Sequence, residues 1–296
     1  HTYPRRHVSD ATVPTESSVT EGEALHLAVI APLSMMSALC PLGDIELVLG
    51  NMLREPKYMD YYSSARDRGR CLILDNGVME LGYALSSTDL FDLIDVLRPS
   101  FVTPPEVLHD GPETLRLTTQ FITDLERRGN ADSIGVLGVA HGSSMREWTQ
   151  TFDALASNPR IARIGIPYDV PFATPGEREP VDRLQQWAYR RAFLTEFVSQ
   201  RYANRVKDVH LLGLAHPMEL VMQSRHTFIR SHDSSWPVMA AVRGINYDET
   251  LAMEVSEKPF IKWDIPWNDG HAQLAAHNVA ITRQVIKSDS AHRARF

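Results

Sequence analysis

The chain has 296 residues, 43% of them hydrophobic and 23% charged, with a formal net charge of −7. That composition is globular and suits one large domain or two small ones; the acidic balance argues against wholesale wrapping of nucleic acid and leaves only a local basic patch open. No run of about 18 apolar residues occurs, so no membrane span is expected, and two cysteines, Cys40 and Cys71, make neither a disulfide scaffold nor a cysteine-built zinc site.

In chain order, residues 1–22 are polar without a continuous apolar core and read as a flexible tail, not a secretory signal. A single domain is expected over 23–296, with a cytoplasmic address from the cysteine usage. Residues 25–30 form the first strand-like run, and 44–54 carry apolar residues that predict a helix. Residues 70–74 are a second strand, stopped by Asp75-Asn76-Gly77, a turn signal. A helix with a serine-type start follows at 87–97. Residues 101–103 form the third strand, halted by Pro104-Pro105, and 113–128 the next helix. Strand, helix and strand follow at 134–139, 145–155 and 161–166. Residues 167–180 are a proline-rich excursion, either a lid over a catalytic face or an irregular connection. The longest helix covers 180–203, the last strands 209–214 and 227–230, and 238–242 is the candidate eighth strand. Arg66, Arg68 and Arg70 cluster, as do Arg190, Arg191, Arg201, Arg205 and Lys207; each cluster read alone is a solvated helix face.

Strict alternation of this kind means parallel strands with crossover helices. A (β/α)8 TIM barrel uses about 250 residues, close to what the chain offers after its tail. The competing doubly wound sheet usually carries a glycine-rich phosphate loop, and no such sequence occurs. The expected fold is therefore the barrel with a C-terminal helical extension.

Catalytic groups in parallel barrels stand at the C-terminal ends of the strands. Those ends carry Asp75, Glu106, His141-Gly142, Gly165 and His232-Asp233. Each has a plainer reading. Asp75 before Asn-Gly suits an Asx turn, Glu106 a helix cap or solvent, His141 a satisfied loop histidine, and Asp233-Ser234-Ser235 a helix N-cap. Repeated acids at the ends of apolar strands argue against all four at once. Two carboxylates on one face suit chemistry at a glycosidic carbon, one attacking C1′ and the other moving protons on the base. A metal-dependent barrel hydrolase would instead show closely paired histidines near the first strand, and none occurs.

At these residues the chain resembles the tRNA-guanine transglycosylase superfamily, most closely its short members in phages and DNA-modification clusters that place 7-deazaguanine bases in DNA. The likeness spans roughly residues 70 to 285 as ordered motifs. The family's Asp-Ser-Gly-Gly-Phe-Gln turn reads Asp75-Asn76-Gly77-Val78-Met79-Glu80, which makes Asp75 the proton-handling aspartate and sets Met79 where a ring stacks on the base. The acidic base-reader falls at Glu106. Gly-x-x-Gln-Gly matches Gly138-Val139-Ala140-His141-Gly142, Ile-Gly-Gly matches Ile164-Gly165-Ile166 with the Gly165 backbone against the base, and Tyr-Leu-Met-Gly-Val-Gly matches 210–215 with Leu212 on the other face. The nucleophile motif Phe-Asp-Cys-Val-x-Pro keeps its aspartate-to-proline spacing in Asp233-Ser234-Ser235-Trp236-Pro237. The cysteines of the family zinc site are absent while His277-Asn278 resembles the segment after it. The resemblance thus implies a lost zinc subdomain, with no metal and no cofactor, and with packing by Trp263 and Trp267 in its place.

What the resemblance implies is a ping-pong exchange. Asp233 attacks C1′ of guanosine, guanine leaves, and a free 7-deazaguanine base of the pre-queuosine type, deprotonated by Asp75, displaces the enzyme. Asn76, Glu106, His141, Gly142 and Gly165 would read the base. The arginines that follow the nucleophile in the tRNA enzymes are missing, which favours DNA over tRNA as substrate. The setting implied is the cytoplasm, the host's if phage-encoded. Family dimers lean on the zinc region, so a homodimer is suggested without being fixed. The alternatives are a tRNA-guanine transglycosylase, a nucleoside or glycoside hydrolase using the same carboxylate pair, and a non-catalytic nucleic-acid-binding barrel.

Overall fold

A strand covered on both faces needs apolar side chains at nearly every position, and short apolar runs bounded by glycine or proline satisfy that condition. In the computed structural model, which describes residues 25–129, 133–177, 182–203, 205–247 and 267–293, eight such runs are strands. They are β1 (His26–Val29), β2 (Glu46–Leu49), β3 (Leu72–Asp75), β4 (Phe101–Val102), β5 (Gly135–Val139), β6 (Ile161–Pro167), β7 (Val209–Leu212) and β8 (Ile229–Ser234). Every neighbour pair is parallel, running in chain order from β2 to β8, and β8 then pairs with β1. A parallel bridge from Ala28 to Ile45 brings β1 against the approach to β2, where Asp44 and Ile45 donate backbone N–H to the Leu27 carbonyl. The architecture is a (β/α)8 barrel.

The helices are α1 (Met36–Leu39), α2 (Pro56–Asp67), α3 (Val78–Leu81), α4 (Ser87–Leu97), α5 (Gly111–Arg127), α6 (Met145–Ser157), α7 (Arg183–Tyr202), α8 (Glu219–Gln223), α9 (Trp236–Val242) and the C-terminal extension α10 (Asp269–Arg293). Four of them begin alike. Ser86, Asp110, Ser144 and Asp182 each accept from the backbone N–H three residues on, at Asp89, Glu113, Glu147 and Gln185. Each such cap contributes about 1 kcal/mol. Among the described residues no helix is long and apolar enough to cross a membrane.

Two expected elements change type. Residues 44–54 contain β2 and a 3-10 turn (Gly50–Met52), not a helix. All four residues of β2 are buried, Leu47 and Leu49 toward the barrel interior and Glu46 against Arg70 and Tyr61. A run apolar on both faces has no helical stripe to read. Residues 238–242 lie in α9, so the eighth strand is β2. The tail expected at 1–22 and the packing role given to Trp263 lie outside the described residues.

The second basic cluster is not one surface. Arg191 is wholly buried against Glu219, Arg190 pairs with Glu177, Arg201 with Asp153, and Lys207 donates to the Asn158 and Ile161 carbonyls. His277 and Asn278 are structural here. The Asn278 side chain donates to the carbonyls of Pro237 and Ile245 and accepts from Tyr247 N–H, which ties α10 to the segment after α9.

Candidate active site

Because side chains alternate along a strand, the residues that end the strands facing inward meet above the barrel interior. There a pocket of about 360 Å³ opens, within the roughly 300–1,000 Å³ of small-molecule sites. Asp75 from β3, Glu106 after β4, His141 after β5, Tyr168 and Asp169 after β6, Leu212 from β7 and Asp233 from β8 all line it, as do Met79, Glu80 and Trp236.

The Asp75 turn is built by glycine. Gly77 has φ of +74°, and a Cβ there would sit 2.9 Å from Asn51 Oδ1. The turn lets Gly77 N–H donate to Asp75 Oδ2 at 2.8 Å and Val78 N–H to Asn76 Oδ1 at 3.0 Å. Asp75 is thus an Asx-turn residue and a pocket wall together. Burial, then the carboxylates of Glu80, Glu106 and Asp233, hold its carboxyl well above the usual range, with the Gly77 N–H opposing.

Asn76 does not line the pocket. Its amide donates to the Pro104 carbonyl at 2.8 Å and to Glu106 Oε1 at 3.1 Å, so it orients Glu106 from behind. His141 completes that clamp, with Nε2 2.9 Å from Glu106 Oε2 and Nδ1 accepting from His109 N–H at 3.3 Å. An Nδ1 that accepts puts the neutral ring's proton on Nε2, where it donates to Glu106. Each Glu106 oxygen keeps acceptor capacity for a ligand N–H. Glu106 caps no helix, since α5 is capped by Asp110.

Asp233 is a strand residue, not an N-cap: Ser235 precedes α9 and makes no side-chain cap. Asp233 Oδ1 accepts from Gly213 N–H at 2.8 Å and lies 3.2 Å from His210 Nε2.

Gly142 and Gly165 lie outside the pocket lining. Gly165 sits inside the barrel below it, where a Cβ would come within 2.8 Å of Leu212 Cδ1 and Leu137 Cδ2, and its carbonyl is taken by Ala140 N–H at 2.9 Å. Gly142 lets its loop press on α6, since a Cβ there would be 2.4 Å from Trp148 N. Both glycines permit close packing and present no backbone group to the pocket.

Residue-by-residue reading missed three participants. Asp169 is buried, with Oδ2 2.9 Å from His109 Nε2, and that hydrogen bond raises the His109 pKa. His109 has φ of 64°, a left-handed backbone rare outside glycine, and spans from His141 to Asp169. Its signal was faint, because Asp169 stands two residues beyond its strand in the proline-rich stretch. His210 is the third, a lone polar residue at an inward position of the apolar run Val209–Leu212.

No protein-family model and no curated protein matches the chain.

Proposed function

We propose that this chain is a base-exchange transglycosylase akin to the tRNA-guanine transglycosylase superfamily, replacing guanine in DNA with a 7-deazaguanine base. The observation that carries the reading is that Asp75 and Asp233, from strands β3 and β8, line one pocket. A nucleophile and a proton carrier must both reach one sugar–base bond, and this placement supplies the pair.

The charge of the lining supports a base as the group that enters. Asp75, Glu80, Glu106, Asp169 and Asp233 line the pocket, with no lysine or arginine among the described lining residues. Such walls repel phosphate and favour a ligand rich in N–H donors, as the edge of guanine is. Met79 and Leu212 offer apolar faces for a flat ring, and Glu106, held by Asn76 and His141, accepts from it. The backbone phosphates stay outside, so the target nucleotide is extruded at a cost of about a few kcal/mol.

Asp233 attacks C1′ as the C1′–N9 bond breaks, and Asp75, whose proton affinity is raised by burial and the carboxylates around it, gives its proton to N9 of the departing guanine. The product is an aspartyl–glycosyl ester and a neutral base. The Asp75 carboxylate then takes the N9 proton of the incoming deazaguanine, whose N9 attacks C1′ and returns the Asp233 carboxylate. Protons balance over the cycle.

Incubation with labelled 7-cyano-7-deazaguanine and either DNA or tRNA tests the reading. Label in DNA with release of guanine supports it. Label in tRNA alone corrects the polymer, free guanine without incorporation makes the chain a hydrolase, and salt-dependent binding with neither would overturn catalysis.

A further inference from the structure

Beneath the pocket floor, a chain of buried polar side chains runs from β6 across β8 and β7 and ends on Asp233. Arg163 on β6 is buried, its guanidinium 4.4 Å from the Phe101 ring centre, and it donates through NH1 to Ser231 Oγ at 3.1 Å. Ser231 Oγ lies 2.7 Å from His210 Nδ1, and His210 Nε2 lies 3.2 Å from Asp233 Oδ1. Ser231 and His210 have no solvent exposure.

One assignment satisfies every contact. An ionised Asp233 can only accept, so His210 donates from Nε2, the neutral ring accepts at Nδ1, and Ser231 donates to it while accepting from Arg163. A ring that accepts at Nδ1 carries its proton at Nε2 and donates to Asp233. Burial lowers the His210 pKa, which keeps the ring in that neutral form. The charged groups around it are Asp233 on β8, Arg163 on β6, and Arg191 on α7, the last paired with Glu219 on α8; the titratable His232 on β8 is held neutral by burial.

We propose that His210 is a positioning residue for Asp233: the column Arg163–Ser231–His210, with Gly213 N–H, fixes two donors on Oδ1 and so locks the carboxylate plane and favours its ionised form. Two donors on one oxygen stabilise the anion and define one rotamer. The geometric claim stands without the reading of Asp233 as nucleophile; only its kinetic consequence rests on that reading. A positively charged histidine would serve equally for attraction. The neutral ring instead supplies a directed donor and leaves the nucleophile's charge uncancelled.

The test is the titration of the Asp233 carboxyl by carbon NMR in protein labelled at aspartate Cγ, with the resonance assigned from Asp233→Asn. His210→Phe should raise the midpoint by about one pH unit through loss of the donor, and Ser231→Ala should raise it less. His210→Gln, whose amide places a donor near the lost Nε2, should return it toward wild type. An unchanged midpoint in His210→Phe overturns the proposal, and if that variant does not fold, an unchanged midpoint in Ser231→Ala does so. Covalent-adduct formation gives the second readout. It should slow by about tenfold or more in His210→Phe with base affinity unaltered, and recover in His210→Gln. Wild-type protein that titrates as described yet forms no adduct would contradict the proposed function and leave the positioning intact.

Discussion

Asp75 shows how one side chain can hold a turn and have its proton affinity raised by its neighbours. Its carboxyl is buried near Glu80, Glu106 and Asp233, so its proton stays on to higher pH in the folded chain than in the unfolded one. A raised carboxyl pKa means the folded state loses stability as pH climbs past the unfolded value near 3.8. Asp75→Asn keeps the acceptor for Gly77 N–H and removes that cost. The variant should therefore melt a few degrees higher at neutral pH while its turnover falls on the order of 10²–10⁴-fold. Calorimetry and exchange assays check both, and a lower melting temperature would contradict the electrostatic account.

Elements in this barrel are fixed by buried polar contacts as well as by apolar packing. Arg191 of α7 pairs with Glu219 of α8 and donates to the carbonyls of Ile166, Leu212 and Gly213, gathering the ends of β6 and β7 beside the pocket. Arg191→Met strands a buried carboxylate and three carbonyls. It should destabilise by about 3–5 kcal/mol in denaturant unfolding; a loss under about 1 kcal/mol would mean the pair is not closed. His232 on β8 is a different case. It is wholly buried, and neither ring nitrogen meets a partner among the described residues. Burial lowers its pKa to about 3. The unfolded chain protonates this ring below about pH 6.5, so acid favours unfolding until the folded ring also takes its proton near 3. His232→Leu should add about 1–2 kcal/mol at pH 7 and flatten the loss of stability from pH 6.5 to 4. Unfolding curves across that range decide it, and an unaltered slope would count against the assignment.

These elements also show what the sequence made legible. Four helices opened with a cap and an acid or amide three residues on, and their predicted bounds lie close to the observed ones. β2 was hidden because Leu47, Val48 and Leu49 are buried on both faces and carry no period, while α9 passed for a strand because Val238–Val242 is apolar all round. At the site, residues ending strands were visible as polar breaks in apolar runs, which singled out Asp75, Glu106, His141 and Asp233. Asn76, Gly142 and Gly165 sat beside such breaks, but the Asn76 amide is spent on Pro104 and Glu106, and the two glycines leave room for Trp148 and for Leu137 and Leu212. His210 and Asp169 were missed because which way a strand residue faces, and where an irregular loop returns, depend on tertiary pairing.

At the scale of the whole molecule, the barrel brings together carboxylates separated by more than half the chain, from residue 75 to residue 233, in one pocket lined also by Glu80, Glu106 and Asp169. In the proposed function, Asp233 becomes covalently attached to the sugar that has lost its base. The direct measurement is intact-protein and peptide mass spectrometry after mixing the protein with guanine-containing DNA without added deazaguanine, under acid quench. A DNA adduct is expected on the peptide carrying Asp233 with free guanine released, together with reversal of the adduct on adding the deazaguanine and a fall of more than about 10³-fold in Asp233→Asn. A full yield of adduct in Asp233→Asn, or attachment to any other residue, would contradict it.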